Sequence, residues 1–275
     1  MNKLDIRKIN LDKVLLGGQT FTWESNSKGV YVGVTQDRVI KLSVKGDQIY
    51  WQTYPTLDDA TFINQYFRVD TQLDDFITKV RKDERFNMIP EEYWGIRLLS
   101  QPIELTILTF LLSSNKNIKA IKRSVGILRE RYGEKVRIDG IEIPLFPRTE
   151  VLARLTVEDL ADTGIGYRAK YLIGSSKRLA ELPATGELQE DKCKLREYLL
   201  DLPGVGPKVV DCVMTFSCGC NDISPVDVWV KRILVDHFGL EDNWTYERYS
   251  DWIRESFGEY SSWLFQILFE WYREK

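Results

Sequence analysis

The stretch Leu202-Pro203-Gly204-Val205-Gly206-Pro207-Lys208 leaves the backbone few choices. Apolar periodicity predicts a helix over 191–199 before it and another over 208–216 after it. Proline suits a first helical turn, so Pro207 marks a start. Two glycines flanking Val205 permit a tight turn and let another chain approach the backbone closely. The free N–H groups that open the second helix point outward, and with the helix dipole they favour an anion such as phosphate. A glycine-rich turn without a ligand is the plainer explanation of the same residues.

Lys208 stands at the start of that second helix. The dipole there disfavours a further positive charge, and partial burial acts in the same direction. Both make a neutral, nucleophilic amine easier to reach, although a phosphate contact is the plainer role. Nineteen residues on comes Ser224-Pro225-Val226-Asp227. Pro225 keeps the residue before it extended. Asp227 occupies a helix N-cap position, and a cap is what a lone aspartate there usually provides. With a hairpin lysine at this distance, a carboxylate serving chemistry becomes the better reading.

Composition narrows the chemistry by exclusion. The 275 residues carry 38 Lys+Arg, 41 Asp+Glu and one histidine, for a net charge of −3. His237 alone cannot build a histidine-rich metal site, and it is the only imidazole for a Ser-His or Cys-His pair. Cys193, Cys212, Cys218 and Cys220 contain no C-x-x-C, which argues for reduced thiols in a cytosolic protein. No apolar run approaches the ~20 residues that span a bilayer, and Met1-Asn2-Lys3-Leu4-Asp5 lacks a signal-peptide core. The expected location is the cytoplasm. Global charge gives no hint of nucleic acid, but the segment 115–137 holds Lys116, Lys119, Lys122, Arg123, Arg129, Arg131, Lys135 and Arg137 against Glu130 and Glu134. That local excess is either a solvated helix face or a phosphate-facing surface.

Period-2 runs at 30–34, 38–44 and 48–53, separated by Gln36-Asp37 and Lys45-Gly46-Asp47, predict an antiparallel meander. From Leu57 the period becomes helical. Helices are expected from Pro102 to Tyr132 with a break near Ser113-Ser114-Asn115, then over 150–162, 168–182, 226–238 and 246–271. The fold class is α+β, with an N-terminal antiparallel sheet domain at 1–98. A mostly helical domain follows at 99–275, with a helix–hairpin–helix at about 195–216.

The hairpin with its lysine, followed by Pro-Val-Asp, resembles the helix–hairpin–helix (HhH-GPD) DNA glycosylase superfamily. Gly17-Gly18-Gln19-Thr20-Phe21-Thr22-Trp23 is similar to the GQ-x-F-x-W signature of its 8-oxoguanine DNA glycosylases. Tyr66-Phe67-Arg68-Val69-Asp70, Ser113-Ser114-Asn115-Lys116-Asn117-Ile118 and Gly166-Tyr167-Arg168-Ala169-Lys170-Tyr171 match the same family. The matches are collinear over nearly the whole chain. The resemblance implies a bacterial or archaeal type of bifunctional glycosylase/AP lyase, with a TBP-like sheet domain and a two-lobed helical domain. It implies excision of 8-oxoguanine from duplex DNA in base excision repair, by a nucleoid-associated monomer without membrane, metal, zinc or iron–sulfur cluster.

Carried over, Lys208 attacks the sugar C1′ and Asp227 stabilises the developing cation. The Gly18 carbonyl meets N7–H of the oxidised base, Cys212 and Phe269 sandwich that base, and Gln266 is the candidate for its Watson–Crick edge. Asn115 and Arg168 would contact the opposite cytosine with Tyr167 as a wedge, and Gly204, Val205, Gly206 and Trp229 would meet the DNA backbone. Three positions depart from the family. Ala120 stands where eukaryotic members have a second cytosine-reading Arg, which implies relaxed opposite-base preference. Trp229 replaces a His, and Phe265 stands where the edge-reading Gln belongs, with Gln266 next to it. An alkylated-base glycosylase and a non-catalytic hairpin module are the alternatives. The hairpin lysine counts against the first, and Asp227 with the Gly18 loop counts against the second.

Overall fold

The computed structural model describes residues 2–4, 6, 9–26 and 28–275, with Glu187 described by its backbone alone. Met1 and Asp5, on which the expectation about a signal peptide partly rests, lie outside the described residues.

The meander forms where alternation predicts it, as β3 (Val30–Val34), β4 (Val39–Lys45) and β5 (Gln48–Tyr54). Val34 pairs with Val39 and Lys45 with Gln48, so both turns fall at the expected residues. Two strands absent from the expectation flank it: β1 (Asn2–Leu4) beside β5, and β2 (Trp23–Ser25) beside β3. At three residues each they are too short to show a period. One face of this five-stranded sheet, with Ile40, Leu42 and Trp51, packs on α1 (Leu11–Leu15) and α2 (Ala60–Tyr66) through Val14, Leu15, Ile63 and Tyr66. Trp23 lies over Gly33, where a Cβ would fall 2.2 Å from the indole, and its Nε1 donates to Tyr66 Oη at 2.8 Å.

The helical part begins with α3 (Asp74–Val80) and continues through α4 (Ile103–Leu111) and α5 (Ile118–Tyr132). Every residue of α4 but Glu104 is buried, which makes it the central rod of the larger core. The predicted break before α5 falls at Asn115, whose φ is +50°. A second hairpin follows, β6 (Lys135–Ile138) and β7 (Ile141–Pro144), which sequence reasoning missed. Its signal was present: Asp139 (φ +51°) and Gly140 (φ +81°) between β-branched residues form the two-residue turn that twisted hairpins prefer.

The helix expected over 150–162 is corrected to α6 (Thr149–Leu152) and one later 3-10 turn. There Asp159 Oδ2 accepts from Thr156 N at 2.8 Å and Thr156 Oγ1 at 2.9 Å, a local arrangement that competes with helix. After α7 (Ala169–Glu181) and α8 (Glu187–Glu190), the hairpin helices are α9 (Lys192–Leu200) and α10 (Pro207–Phe216), then α11 (Val228–Asp236). The single helix expected over 246–271 is two, α12 (Tyr246–Phe257) and α13 (Ser261–Glu274), because Gly258 turns the chain at φ +55°. Phe21, Leu73 and Phe76 pack into the same core as α4, α10 and α13, so the sheet-bearing segment and the helices share one interior.

Candidate active site

Gly204 takes φ +80°, and a Cβ there would lie 2.5 Å from the Tyr171 ring, so only glycine fits that turn. Val205 N donates to Leu202 O at 3.1 Å, which uses that amide inside the turn. The N–H groups of Gly204 and Gly206 have no partner among the described residues, and a Cβ on Gly206 would point into open space. The hairpin thus aims α10 so that Lys208 and Cys212, one turn apart, enter a cavity of about 430 Å³. The same cavity is lined by Gly18, Asp227, Trp229, Phe265, Gln266 and Phe269.

Lys208 Nζ donates to Ser113 Oγ at 2.9 Å and lies 5.1 Å from the centre of the Phe110 ring. Ser113 sits at the end of α4, so the central rod holds the amine. Asp227 does cap α11: its Oδ1 accepts from Trp229 N and Val230 N, both at 2.9 Å. Capping and lining the cavity prove compatible, since one oxygen suffices for the cap. The loop before Asp227 is tied to α10. Buried Asp211 accepts from Arg196 Nη1 and from Tyr246 Oη, both at 2.6 Å, and Val226 N donates to that hydroxyl at 3.3 Å. Burial drives the Cys212 thiol up to about 12 despite the nearby Lys208, so it stays protonated and does not compete as nucleophile. His237 packs against Phe86, Phe238 and Trp271, away from the cavity. Lys208 and Asp227 thus place an amine and a carboxylate on the wall of one cavity, which Lys116 and Lys119 also line. Among the described residues no group of three or more His, Cys, Asp or Glu side chains could hold a metal ion.

The double glycine is explained by two contacts. A Cβ on Gly18 would stand 2.6 Å from the Phe269 ring, and one on Gly17 would stand 2.2 Å from Glu270 Oε1. Glu270, fully buried, accepts from Gly18 N at 2.8 Å, from Gln266 Nε2 at 3.2 Å and from Arg273 Nη2 at 2.5 Å. Sequence reasoning missed Glu270, Arg273 and Ser113. The signal for the first two was a polar series at i, i+4 and i+7 (Gln266, Glu270, Arg273) in and just after the apolar run 263–271 of α13.

Asn115, Arg168 and Tyr167 do not line the cavity. Asn115 is exposed, Tyr167 is 53% exposed, and Arg168 is buried beneath it with the guanidinium 4.4 Å from its ring centre. Arg168 Nη1 donates to Ile165 O at 3.0 Å and Nη2 to Ser114 O, so the expected cytosine reader is spent on backbone carbonyls. The basic run of 115–137 divides likewise. Lys116, Lys122, Arg129 and Arg131 bind Gly164 O, Leu16 O, Glu24 and Asp162 respectively. Lys119 and Arg123 remain exposed. Part of the run is structural, and only part can face a polyanion.

Residues 108–257 match the HhH-GPD superfamily of base excision DNA repair proteins, and residues 3–105 match the 8-oxoguanine DNA glycosylase N-terminal domain. The chain belongs to that superfamily. Within it, the chain is 31% identical to the N-glycosylase/DNA lyase OGG1 of Arabidopsis thaliana over 97% of its own length and 78% of the relative's. It is 30% identical to the N-glycosylase/DNA lyase of Saccharomyces cerevisiae over 88% and 72%. The Clostridium acetobutylicum 8-oxoguanine glycosylase/lyase, solved with double-stranded DNA holding cytosine opposite 8-oxoguanine, superposes with a TM-score of 0.88 at 26% identity, covering 98% of this chain and 93% of that one. The chain is thus a member of the 8-oxoguanine DNA glycosylase/AP lyase family, and none of its helices is long and apolar enough to cross a membrane.

Proposed function

We propose that this chain flips 8-oxoguanine out of duplex DNA, excises it and nicks the strand, acting as a cytoplasmic, nucleoid-associated monomer. What carries the reading is that Lys208, Asp227, Gly18, Cys212 and Phe269 line one cavity. Extruding a base into such a pocket is how enzymes reach atoms buried in the stack. Lys208 Nζ, once neutral, attacks C1′ as the bond from C1′ to the base breaks. The base leaves with its bonding pair and takes up a proton. The Asp227 carboxylate stabilises the positive charge that develops on the sugar. Loss of a second proton from the amine and opening of the sugar ring give the Schiff base. Removal of a C2′ proton then expels the 3′ phosphate by β-elimination.

Gly18 offers its carbonyl to N7–H of the oxidised base, while ordinary guanine would bring an unpaired acceptor there. Cys212 and Phe269 flank the ring, and Gln266 reads its Watson–Crick edge. The amides of the hairpin at Gly204, Val205 and Gly206, with Trp229, meet the backbone. Asn115 and Tyr167 fill the vacated stack, and Arg168 needs to exchange its carbonyl partners to reach the opposite base. Incubation with a duplex holding one 8-oxoguanine, followed by borohydride, tests the reading. The expected result is a covalent adduct that disappears in Lys208→Gln. Absence of an adduct with the unaltered protein overturns it.

A further inference from the structure

We propose that Glu270 is a positioning residue for lesion recognition, fixing in one carboxylate the two hydrogen-bond acceptors that the cavity presents to the base. This rests on the reading of Gly18 and Gln266 as base contacts, and it adds a residue that does not itself line the cavity. Glu270 Oε1 takes both Gly18 N–H and Gln266 Nε2–H, while Oε2 takes Arg273. The first bond fixes the peptide entering Gly18 and so limits how the following carbonyl can turn. The second engages one of the two N–H donors of Gln266 and so orients the amide, turning its oxygen away from the carboxylate. A pocket with two fixed acceptors suits a base that has donors on both edges. 8-Oxoguanine offers N7–H on one edge and N1–H with N2–H₂ on the other. Guanine lacks the first donor, and 8-oxoadenine has an N1 acceptor in place of N1–H, with N6–H₂ where 8-oxoguanine has O6.

Two further observations bear on the arrangement. Gly17 leaves room for the carboxylate, since a Cβ there would stand 2.2 Å from Oε1 and also 2.4 Å from the Lys13 carbonyl oxygen. The loop is also held from its other side, where Lys122 Nζ donates to Leu16 O at 3.2 Å. Two elements far apart in sequence, α13 and α5, therefore hold the segment Leu16-Gly17-Gly18, two of whose residues have no side chain.

The test compares Glu270→Gln and Gly17→Ala with the unaltered protein on four duplexes, holding 8-oxoguanine, 8-oxoadenine, guanine or an abasic site. Borohydride trapping at the abasic site needs the amine and DNA binding but no base in the pocket. Single-turnover excision needs both. The expected result for each variant is a loss of roughly tenfold or more in 8-oxoguanine excision, a smaller ratio of 8-oxoguanine to 8-oxoadenine, and abasic-site trapping lowered by no more than about twofold. An equal fall in trapping and excision makes Glu270 a support of the fold and overturns the proposal. So does excision unchanged in both variants. If the unaltered protein itself fails to prefer 8-oxoguanine over guanine, the reading of Gly18 fails independently of Glu270.

Discussion

Lys208 and Asp227 lie within twenty consecutive residues, whereas the Gly18 part of the same cavity joins residues 252 positions apart through Glu270. The first pair is set by elements next to each other in the chain: a glycine turn, a helix start, a proline and an N-cap. The second exists only after α1, α5 and α13 have packed. On the proposed reading, chemistry in this fold rests on local geometry and recognition on tertiary geometry. The two should therefore fail differently when disturbed.

The largest expected effect is at Lys208. Lys208→Gln keeps a side chain able to bond Ser113 Oγ but removes the nucleophile. Excision should fall by at least about 10³-fold while lesion-duplex affinity stays within a few fold. Gel-shift affinity beside single-turnover excision measures both, and a comparable loss of each would mean that Lys208 serves as a phosphate contact.

Asp227→Asn is next, and it separates the two roles that the structure unites. Asparagine caps a helix about as well as aspartate, so thermal unfolding should move by less than about 1 kcal/mol. The charge is gone, so excision should fall by about 10²- to 10⁴-fold. A variant that unfolds easily but turns over normally at low temperature would leave Asp227 as a cap alone.

The same division explains what was legible in the sequence. The meander, the hairpin, the break at Asn115 and the placement of Lys208 and Asp227 follow from periods, turn residues and one collinear set of motifs. The β1 and β2 strands were illegible because three residues carry no period. The break at Gly258 was available as a glycine in a helical pattern, yet apolar residues on both sides outweighed it. The polar series on α13 pointed to Glu270, but its role could not be derived from neighbours in the chain, because its partner Gly18 lies in another segment and Gly17 answers both to the carboxylate and to the Lys13 carbonyl. At Arg168 the motif suggests a base contact, whereas without DNA the guanidinium is held by the local carbonyls of Ile165 and Ser114, a pairing that sequence could not show.

Opposite-base preference should respond more weakly. Ala120 lies in the first turn of α5, where Asn117 Oδ1 caps its N–H at 2.8 Å. With alanine there and Arg168 engaged internally, excision rates opposite cytosine, thymine, adenine and guanine should lie close together. An arginine that reads a base is worth about 1–3 kcal/mol. Ala120→Arg should therefore raise the preference for cytosine by about 5- to 150-fold without altering trapping at an abasic site. A strict cytosine preference in the unaltered protein would break the assignment.

The smallest effect concerns the cost of holding the recognition loop with buried charge. Lys122 is brought down to about 8 from its ordinary 10.5, chiefly by burial, with Glu24 and Glu270 opposing the shift and Arg273 adding to it. The folded state then prefers the neutral amine more than the unfolded chain does. Below pH ~8 both states carry the proton, and the full cost of the buried ammonium weighs on folding. Between about 8 and 10.5 the unfolded chain binds a proton that the folded one lacks, so this contribution makes stability rise with pH. Lys122→Met removes the cost but also the bond to Leu16 O, for a net gain on the order of 1 kcal/mol at pH 7. Denaturant midpoints should favour the variant below pH 8, and the unaltered protein should gain on it and overtake it as the pH rises toward 10.5. A pH-independent difference would mean that Lys122 acts by packing alone. The hairpin part of the cavity, with Lys208 and Asp227 unchanged, should keep its abasic-site trapping throughout.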